Sequence, residues 1–148
     1  MQLDERALWS VSYGLYVVTG RAGGRANGQI ANAVCQVTAV PPRVAVAVNH
    51  DNFTHDLIRD GGHFAFSVLA DTAPMELIGL FGFRSGRDVD KLAGVAVREG
   101  AHCPLVVEHA LSVVEARVIA SVDAGTHTVF VGEVVGAEVV AQGTALTY

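Results

Sequence analysis

The chain has few charged residues: only 17% are Asp, Glu, Lys or Arg, whereas 51% are hydrophobic. Soluble domains usually carry about 25% charged residues, so apolar surface is in excess. No uncharged apolar run reaches the roughly 18 residues that would span a bilayer, which argues against a membrane helix. We expect the surplus to be buried between two copies of the chain, because an obligate homodimer interface resembles a domain core cut in half.

The sequence also lacks a basic tract. Its formal net charge is −5, with 10 Lys and Arg residues against 15 Asp and Glu. Nucleic acids and anionic membranes attract clustered cations, so neither is expected as a partner. The N-terminal residues 1–6 have neither the basic region nor the long apolar region of a secretory signal, which predicts a cytoplasmic location.

Cysteine is scarce. Cys35 and Cys103 lie far apart and form no C-x-x-C pattern, so neither a disulfide framework nor a metal site is indicated. We expect both to be buried thiols, with contact between Cys35 and a ligand as the alternative. The six histidines show no metal-ligand spacing either, so no metal is predicted.

What the chain has in abundance is strand-forming sequence. With 148 residues it can build one core, which predicts a single domain over residues 1–148. Runs of β-branched and aromatic residues between glycine-containing turns predict strands over 13–19, 29–38, 44–48, 63–69, 110–122 and 126–140. Residues 21–28 are predicted to form a hairpin loop, the 44–48 strand to be buried on both faces, and Gly132 to be a bulge or bend.

Helices are expected to be few and short. The spacing of Leu8, Val11 and Leu15 predicts an N-terminal helix that covers one end of the core. A second helix is predicted over 54–60 with Thr54 as its N-cap, and a third over 73–83. Many antiparallel strands with little helix indicate a small β-barrel.

Residues 28–38 combine small and polar side chains in a way that suits a flat ligand. Gln29, Asn32, Gln36 and Thr38 interrupt β-branched and small residues, and Gly28 lets a ring approach the backbone. From the residues alone, Asn32 and Gln36 could equally face solvent on the outside of a barrel.

The only dense cluster of cations lies in residues 84–91. Arg84, Arg87 and Lys91 would share one face if this segment were helical, and guanidinium groups bind phosphate well. The alternative is a solvated turn in which these cations pair with Asp88 and Asp90.

The segments 13–19, 27–38, 41–42, 52–55, 81–91 and 125–134 follow one another in a recognisable order. Together they resemble the flavin reductase-like, FMN-binding split-barrel family over nearly the whole chain, and most of all the flavin domain of high-molecular-weight rubredoxins. The resemblance implies a mainly β fold: an antiparallel Greek-key split β-barrel with a few short flanking helices, assembled as a homodimer. It also implies FMN as the cofactor, favoured over FAD, and NADH or NADPH as the hydride donor.

The resemblance places the flavin ring along the 29–38 segment, held by backbone amides and Asn32, and the phosphate near residues 84–91. Asn49, Asn52 and the helix start at Thr54 resemble a second anchoring region, although Thr54 could instead only cap its own helix. The full predicted set of cofactor-binding residues is Gln29, Ile30, Ala31, Asn32, Gln36, Val37, Thr38, Asn49, Asn52, Thr54, Arg84, Ser85, Gly86, Arg87 and Lys91.

His127 is the predicted catalytic residue. In related reductases a Gly-Asp-His segment often stands here, and its histidine is thought to lie near the nicotinamide; in this chain Thr126 replaces the aspartate. The alternative is an ordinary hydrogen-bonded strand residue. Hydride transfer to flavin N5 needs two rings stacked at about 3–3.5 Å rather than an acid or a base, so His127 is expected to serve binding and orientation.

The implied activity is that of an FMN-binding oxidoreductase that takes hydride from NAD(P)H and passes electrons to a separate acceptor. Free flavin, a rubredoxin or flavodiiron-type protein, and dioxygen are the candidate acceptors, because rubredoxin-type relatives continue beyond Tyr148 into an iron domain of their own. One alternative is an FMN-binding electron carrier that a partner protein reduces, without nicotinamide activity. The other is a flavin-free structural or ligand-sensing barrel.

Overall fold

The computed structural model describes residues 1–148, and its main element is one antiparallel β-sheet. The strands are β1 (Tyr16–Ala22), β2 (Arg25–Ala31), β3 (Val34–Ala39), β4 (Pro42–Asn49), β5 (His63–Leu69), β6 (Val97–Glu99), β7 (Pro104–Val106), β8 (Ala110–Asp123) and β9 (His127–Val139). Two α-helices, α1 (Phe53–Gly61) and α2 (Met75–Gly82), and a 3-10 helix (Glu5–Ser10) flank them. The predicted mainly β fold with few short helices is confirmed.

Seven strands form the main sheet in the order β2-β1-β5-β8-β9-β4-β3, and β6 pairs with β7 in a separate hairpin that the sequence did not predict. The long strands β8 and β9 meet at the predicted turn, where Gly125 has φ 110° and donates its N–H to Asp123. Neither α1 nor α2 is long and apolar enough to cross a membrane.

The core lies against one face of the curved sheet. Val44, Val46 and Val48 of β4 are buried there, while Ala45 and Ala47 on the other face are only half-buried. The prediction that β4 is buried on both faces is therefore wrong, because successive side chains of a strand point to opposite faces and no element of this chain covers the outer one fully. The ten buried residues of the main core are Val18, Ala31, Val44, Val46, Val48, Ile58, Phe64, Phe66, Ala116 and Phe130.

Residues 29–38 form two strands instead of the predicted one. The chain turns at Asn32 and Ala33, so that β2 and β3 lie at opposite ends of the strand order. Backbone hydrogen bonds hold this corner: Val34 N–H donates to Asn32 O, and Ala47 N–H donates to Ala33 O, each at 3.0 Å. The two halves of the segment consequently face different parts of the surface.

The hairpin between β1 and β2 is tighter than predicted. The strands extend to Ala22 and from Arg25, which leaves only Gly23 and Gly24 in the turn. Their φ angles are 57° and 75°, and a two-residue hairpin turn of this kind requires positive φ at both positions. Most of the predicted 21–28 loop is therefore strand.

The N-terminal helix is shorter than predicted and does not cover the core. It is a 3-10 helix whose residues are all exposed, among them Leu8 and Trp9. Only Leu15, beyond its end, is buried. The apolar residues of this segment have helical spacing, but no part of this chain packs against them.

The two α-helices lie close to the predicted positions. Asn52, in extended conformation, occupies the N-cap position of α1, and Gly62 ends the helix with φ 74°. Thr54 lies inside the helix and is fully buried, so its prediction as the N-cap is wrong. The α2 helix, with Pro74 at its N-cap position, starts two residues later and ends one residue earlier than the predicted 73–83.

Gly132 pairs with Val44 and Val118 and is not itself the inserted residue of a bulge, but the predicted irregularity lies next to it, because the register shifts directly after the Val118–Gly132 pair. The register between β8 and β9 shifts at Ile119 and Val135. Gly132 serves close packing: a Cβ there would lie 2.7 Å from Ala116 Cβ and 2.8 Å from the Phe64 ring. Both neighbours are fully buried and have no free space to move into.

We predict that Gly132→Ala lowers the free energy of unfolding by about 1–3 kcal/mol, because the new methyl group overpacks the core. Gly136→Ala is the matched control on the same strand, since a Cβ there meets nothing within 4 Å. It should change stability by less than about 0.5 kcal/mol. Urea unfolding of both variants at one protein concentration measures the effects, and equal values for the two would contradict the packing role of Gly132.

Candidate functional site

A cavity of about 270 Å³ opens between β2, the start of α1 and the loop that follows α2. Seven of the predicted cofactor-binding residues line it: Gln29, Ile30, Asn52, Arg84, Ser85, Gly86 and Lys91. The remaining lining residues were not among the predicted cofactor-binding residues, although all except Asp51 lie in segments that carry the family resemblance: Asn27, Asp51, Phe53, Phe81, Gly82 and Phe83.

Gln29 has a polar atom without a partner in this cavity. The residue is only 7% exposed, yet its Oε1 accepts no hydrogen bond. Its Nε2 reaches only Ile30 O, at 3.5 Å. Leaving a buried acceptor unsatisfied costs about 1–3 kcal/mol, so a ligand N–H that donates to Gln29 would recover this energy.

Lys91, the single lysine of the chain, forms part of the cavity floor. It is 4% exposed, and its ammonium group donates to Gly28 O at 3.0 Å and to Phe81 O at 3.1 Å. Burial lowers its pKa from 10.5 to about 8. An ammonium group has three donors, and no carboxylate neutralises this one. The cavity floor therefore carries a positive charge that an anion would stabilise.

Arg84 adds a second free cation at the mouth. It is exposed and pairs with no carboxylate, whereas six other arginines do: Arg6, Arg21, Arg59, Arg87, Arg98 and Arg117. The first turn of α1 also borders the cavity at Asn52 and Phe53, and amide groups at a helix N-terminus favour anions. The cavity is lined by two cations, Arg84 and Lys91, and one carboxylate, Asp51, so its lining is net positive in a chain with net charge −5.

Asn27 and Gly86 shape the wall of the cavity. Asn27 is 3% exposed, and its Nδ2 donates to Thr54 Oγ1 at 3.0 Å. A Cβ on Gly86 would overlap the Asn27 amide, so a larger residue at this position would displace that side chain. Thr54 does not line the cavity and instead holds Asn27 in place. An Asn-Gly pair inside a strand was the available signal for Asn27.

Arg87 lies outside the cavity. Residues 84–91 form turns rather than a helix, so Arg84, Arg87 and Lys91 do not share a face as predicted. Arg87 donates to Asp51 O at 3.1 Å and to Asp56 at 3.3 Å. The alternative prediction, pairing of these cations with Asp88 and Asp90, is not observed either.

The remaining predicted residues are distributed elsewhere. Ala31 is packed in the core, and Asn32 lies at the corner between β2 and β3. Gln36, Val37 and Thr38 lie on β3, where Gln36 donates to Thr38 O and Thr38 donates to Pro41 O. None of these five residues lines the cavity.

Asn49 and His127 face each other across β4 and β9. Asn49 Oδ1 accepts from Asp51 N–H at 2.8 Å and so holds the loop that reaches the cavity. His127 Nδ1 lies 2.8 Å from Thr126 Oγ1, so a hydroxyl partners the imidazole. Neither residue lines the cavity.

The two cysteines differ. Cys103 is buried as predicted, and burial raises the pKa of its thiol to about 12. Cys35 is exposed on β3, so the prediction of a second buried thiol is wrong. The outer face of β3 has no cover within this chain.

Solved structures with this fold define the class. The model superposes on NADH:FAD oxidoreductase of Streptomyces globisporus with a TM-score of 0.87 and 26% identity, over 97% of this chain and 85% of that one. The fold is thus that of flavin-dependent reductases, as the sequence predicted.

Two relatives are closer in sequence. The chain is 47% identical to the high molecular weight rubredoxin of Moorella thermoacetica over 99% of its own length and 64% of the relative's. It is also 47% identical to the ferric-chelate reductase (NAD(P)H) of Archaeoglobus fulgidus, over 99% of this chain and 87% of that protein. Residues 8–148 match the flavin reductase like domain, and the chain belongs to that family of oxidoreductases. The predicted family and enzyme class are confirmed.

The depressed pKa of Lys91 predicts a pH dependence of stability. Between pH 8 and 10.5 the unfolded chain holds more protons at this position than the folded one, so the contribution of Lys91 to the free energy of unfolding rises with pH. Above pH 9.0, the ordinary pKa of a thiol, the contribution of Cys103 to the free energy of unfolding falls with pH, because burial raises the pKa of this thiol to about 12. Only a comparison with a Lys91 variant separates the contribution of Lys91 from that of Cys103.

We predict that the difference in unfolding free energy between the unaltered protein and Lys91→Met grows by about 2 kcal/mol from roughly pH 7.5 to 9.5. Urea unfolding of both proteins, without flavin or phosphate, gives this difference at each pH. Cys103 is present in both proteins, so its contribution cancels in the difference. A difference that stays constant with pH would mean that Lys91 titrates normally.

Proposed function

We propose that this chain binds FMN in the cavity beside β2 and catalyses oxidation of NADH or NADPH, with electrons passing to a separate acceptor. One observation carries the proposal: the cavity combines a buried acceptor without a donor, Gln29 Oε1, with two cations without a carboxylate, Arg84 and Lys91. Flavin mononucleotide has an imide N–H that can donate to Gln29 Oε1 and a phosphate that Arg84 and Lys91 can bind. The residues present therefore fit the group.

Bound FMN would supply a ring that accepts hydride and can then release electrons one at a time. The chain would supply position and charge. Arg84, Lys91 and the first amides of α1 would bind the phosphate, Gln29 would orient the ring through its amide, and Gly86 would keep the wall flat beside it. Ser85 and Ile30 would complete the surroundings.

The donor is proposed on two grounds. The ferric-chelate reductase carries NAD(P)H in its name, and the structural neighbour is named for NADH. We further propose that His127 contacts the nicotinamide, with the Thr126 hydroxyl fixing the imidazole through its Nδ1. The Thr126 hydroxyl would orient the His127 imidazole without the negative charge that a carboxylate would add.

The acceptor is proposed to be free flavin, a rubredoxin or flavodiiron-type protein, or dioxygen. The chain spans 64% of the Moorella rubredoxin, whose name indicates an iron-based electron carrier. A rubredoxin is therefore among the proposed electron acceptors.

We also propose a homodimer formed through the outer face of β3. Nearly every residue of β3 is exposed, including Val37 at 53%. Two adjoining apolar hollows of about 350 and 400 Å³ lie beside it, and Tyr16, Val34 and Cys35 line both. A second copy of the chain would cover this apolar surface and an otherwise free strand edge.

The proposed activity predicts that the purified protein, loaded with FMN, loses its flavin absorbance when NADH or NADPH is added without oxygen. Stopped-flow absorbance measures this directly. A flavin that binds but stays oxidised with both nucleotides would favour the electron-carrier alternative, and a protein that binds no flavin would contradict the proposal.

The proposed phosphate site predicts that Arg84→Gln weakens FMN binding about tenfold and leaves riboflavin binding within about twofold, because riboflavin lacks the phosphate. Fluorescence titration with each flavin gives both affinities. Arg98→Gln is the control, since Arg98 is exposed and paired with Glu138 away from the cavity. Equal losses for FMN and riboflavin in Arg84→Gln would contradict the assignment of Arg84 to the phosphate.

The proposed dimer predicts a molar mass of about twice 15.5 kDa in light scattering at micromolar concentration. Val37→Lys should shift the mass to that of one chain, because a charge would be buried in the interface, whereas the exposed position tolerates lysine within a single copy. An unaltered protein that scatters as a monomer would contradict this proposal.

A further inference from the structure

A buried histidine connects α1 with β9 outside the cavity. His55, in the first turn of α1, is 7% exposed and does not line the cavity. Its Nδ1 lies 3.0 Å from Asp56 Oδ1, and its Nε2 lies 2.8 Å from Thr128 Oγ1 on β9. Both ring nitrogens therefore have a partner inside the chain, as buried polar groups require. The activity proposed above gives this residue no role.

The contacts of the His55 ring fix its orientation. A carboxylate can only accept a hydrogen bond, so Asp56 favours the tautomer that carries the hydrogen on Nδ1. In the neutral ring Nε2 then accepts from the Thr128 hydroxyl. The ring also packs against Phe130, with the two ring centres 5.5 Å apart. His55 is thus held on three sides and can hold Thr128 in one place.

Thr128 directly follows His127, at the end of the sheet. His127 is the last residue of β9 that pairs with β4, and residues 124–126 beyond it form an exposed turn. The last five residues of β8, which lead into this turn, are exposed as well. Little of the core supports this end of the hairpin. The hydrogen bond from Thr128 to His55 supports it one residue from His127.

His50 contacts the same end of the hairpin. Its backbone N–H donates to Thr126 O at 3.0 Å, and its Nε2 lies 3.5 Å from Asp123 Oδ1. Its ring meets the His55 ring edge to face, with the two centres 5.1 Å apart. The residues on both sides of His127 are therefore attached to the segment 50–55.

Asp56 extends the network to the loop after α2. Its Oδ2 accepts from Arg87 at 3.3 Å, while its Oδ1 is the partner of His55. Arg87 belongs to the same loop as Arg84 and Gly86, which line the cavity. One carboxylate thus joins the loop beside the proposed phosphate site to the histidine that supports β9.

We propose that His55, oriented by Asp56, is a positioning residue for the nicotinamide step: through Thr128 it fixes the start of β9 and with it the place of His127. The inference rests on the proposed function, in which His127 contacts the nicotinamide. Hydride transfer needs two rings within a narrow range of distance and angle, and a displacement of about 1 Å can cost about a hundredfold in rate. His55 itself need not touch the nucleotide.

Thr128→Val tests this inference, because valine keeps the shape of threonine and removes the hydroxyl group. The variant should raise the KM for NADH and NADPH about tenfold and leave FMN affinity within about twofold, since the displaced His127 would bind the nicotinamide less well. Thr128→Ser keeps a hydroxyl group and should bring the KM back to within about threefold of the unaltered protein. Steady-state kinetics on FMN-loaded protein gives the KM, and fluorescence titration gives the FMN affinity.

Thr72→Val is the matched control. The Thr72 hydroxyl lies 3.4 Å from His109 Nδ1, so this variant also removes a threonine partner of a histidine, and neither residue lines the cavity. Its KM should stay within about twofold. Thermal unfolding confirms that each variant folds.

A second variant, His127→Ala, shows whether Thr128 acts through His127. If it does, the double variant has the same KM as His127→Ala within about twofold, because the positioned group is already absent. A Thr128→Val protein that loses stability but keeps its KM, or KM effects of the two substitutions that multiply, would overturn the inference and leave the proposed function intact. An unchanged KM in His127→Ala would contradict the proposed role of His127 itself, and this inference with it.

Discussion

The ammonium group of Lys91 joins β2 to the end of α2, and the cavity depends on this contact. By donating to Gly28 O and Phe81 O, it holds the loop after α2 against the edge strand β2 and satisfies a carbonyl in the last turn of the helix. The loop then places Arg84, Ser85 and Gly86 around the space that Gln29 faces. A neutral side chain of similar length would leave both carbonyls without a donor.

Burying this charge without a carboxylate is unfavourable, and the depressed pKa of Lys91 reflects it. Elsewhere the chain neutralises most of its arginines on the surface. Gln29, with its unsatisfied oxygen, lies in the same cavity. Polar groups left unsatisfied by the fold are expected at functional sites, where a ligand completes them.

The local sequence pattern was sufficient to predict most of the strands and the segments that form the cavity. The β5, β8 and β9 strands and the turn at Gly125 follow from strand-forming sequence and turn chemistry, and residues 84–91, which contribute four residues to the cavity lining, were identified as a cationic segment. The corner at Asn32 was not predicted, because Ile30 and Val34 on its two sides were assigned to one strand and only the path of the sheet decides where that strand breaks. This corner explains why Gln36, Val37 and Thr38 were placed with Gln29 and lie apart from it.

Arg87 and Asn27 show that local sequence pattern also does not predict the contacts of single side chains. Arg87 was assigned to the phosphate by helical spacing, but the segment folds as turns and directs the guanidinium group to Asp56. Asn27 matters because Gly86 and Thr54 pack against it, and such contacts between distant segments are absent from any local pattern. The place of His127 relative to the cavity likewise depends on the pairing of β4 with β9.

A crystal structure of the protein with FMN bound would test the central claim most directly. The account predicts the phosphate between Arg84, Lys91 and the start of α1, and a donor from the flavin on Gln29 Oε1. A flavin bound elsewhere, with the cavity beside β2 filled only by solvent, would contradict it.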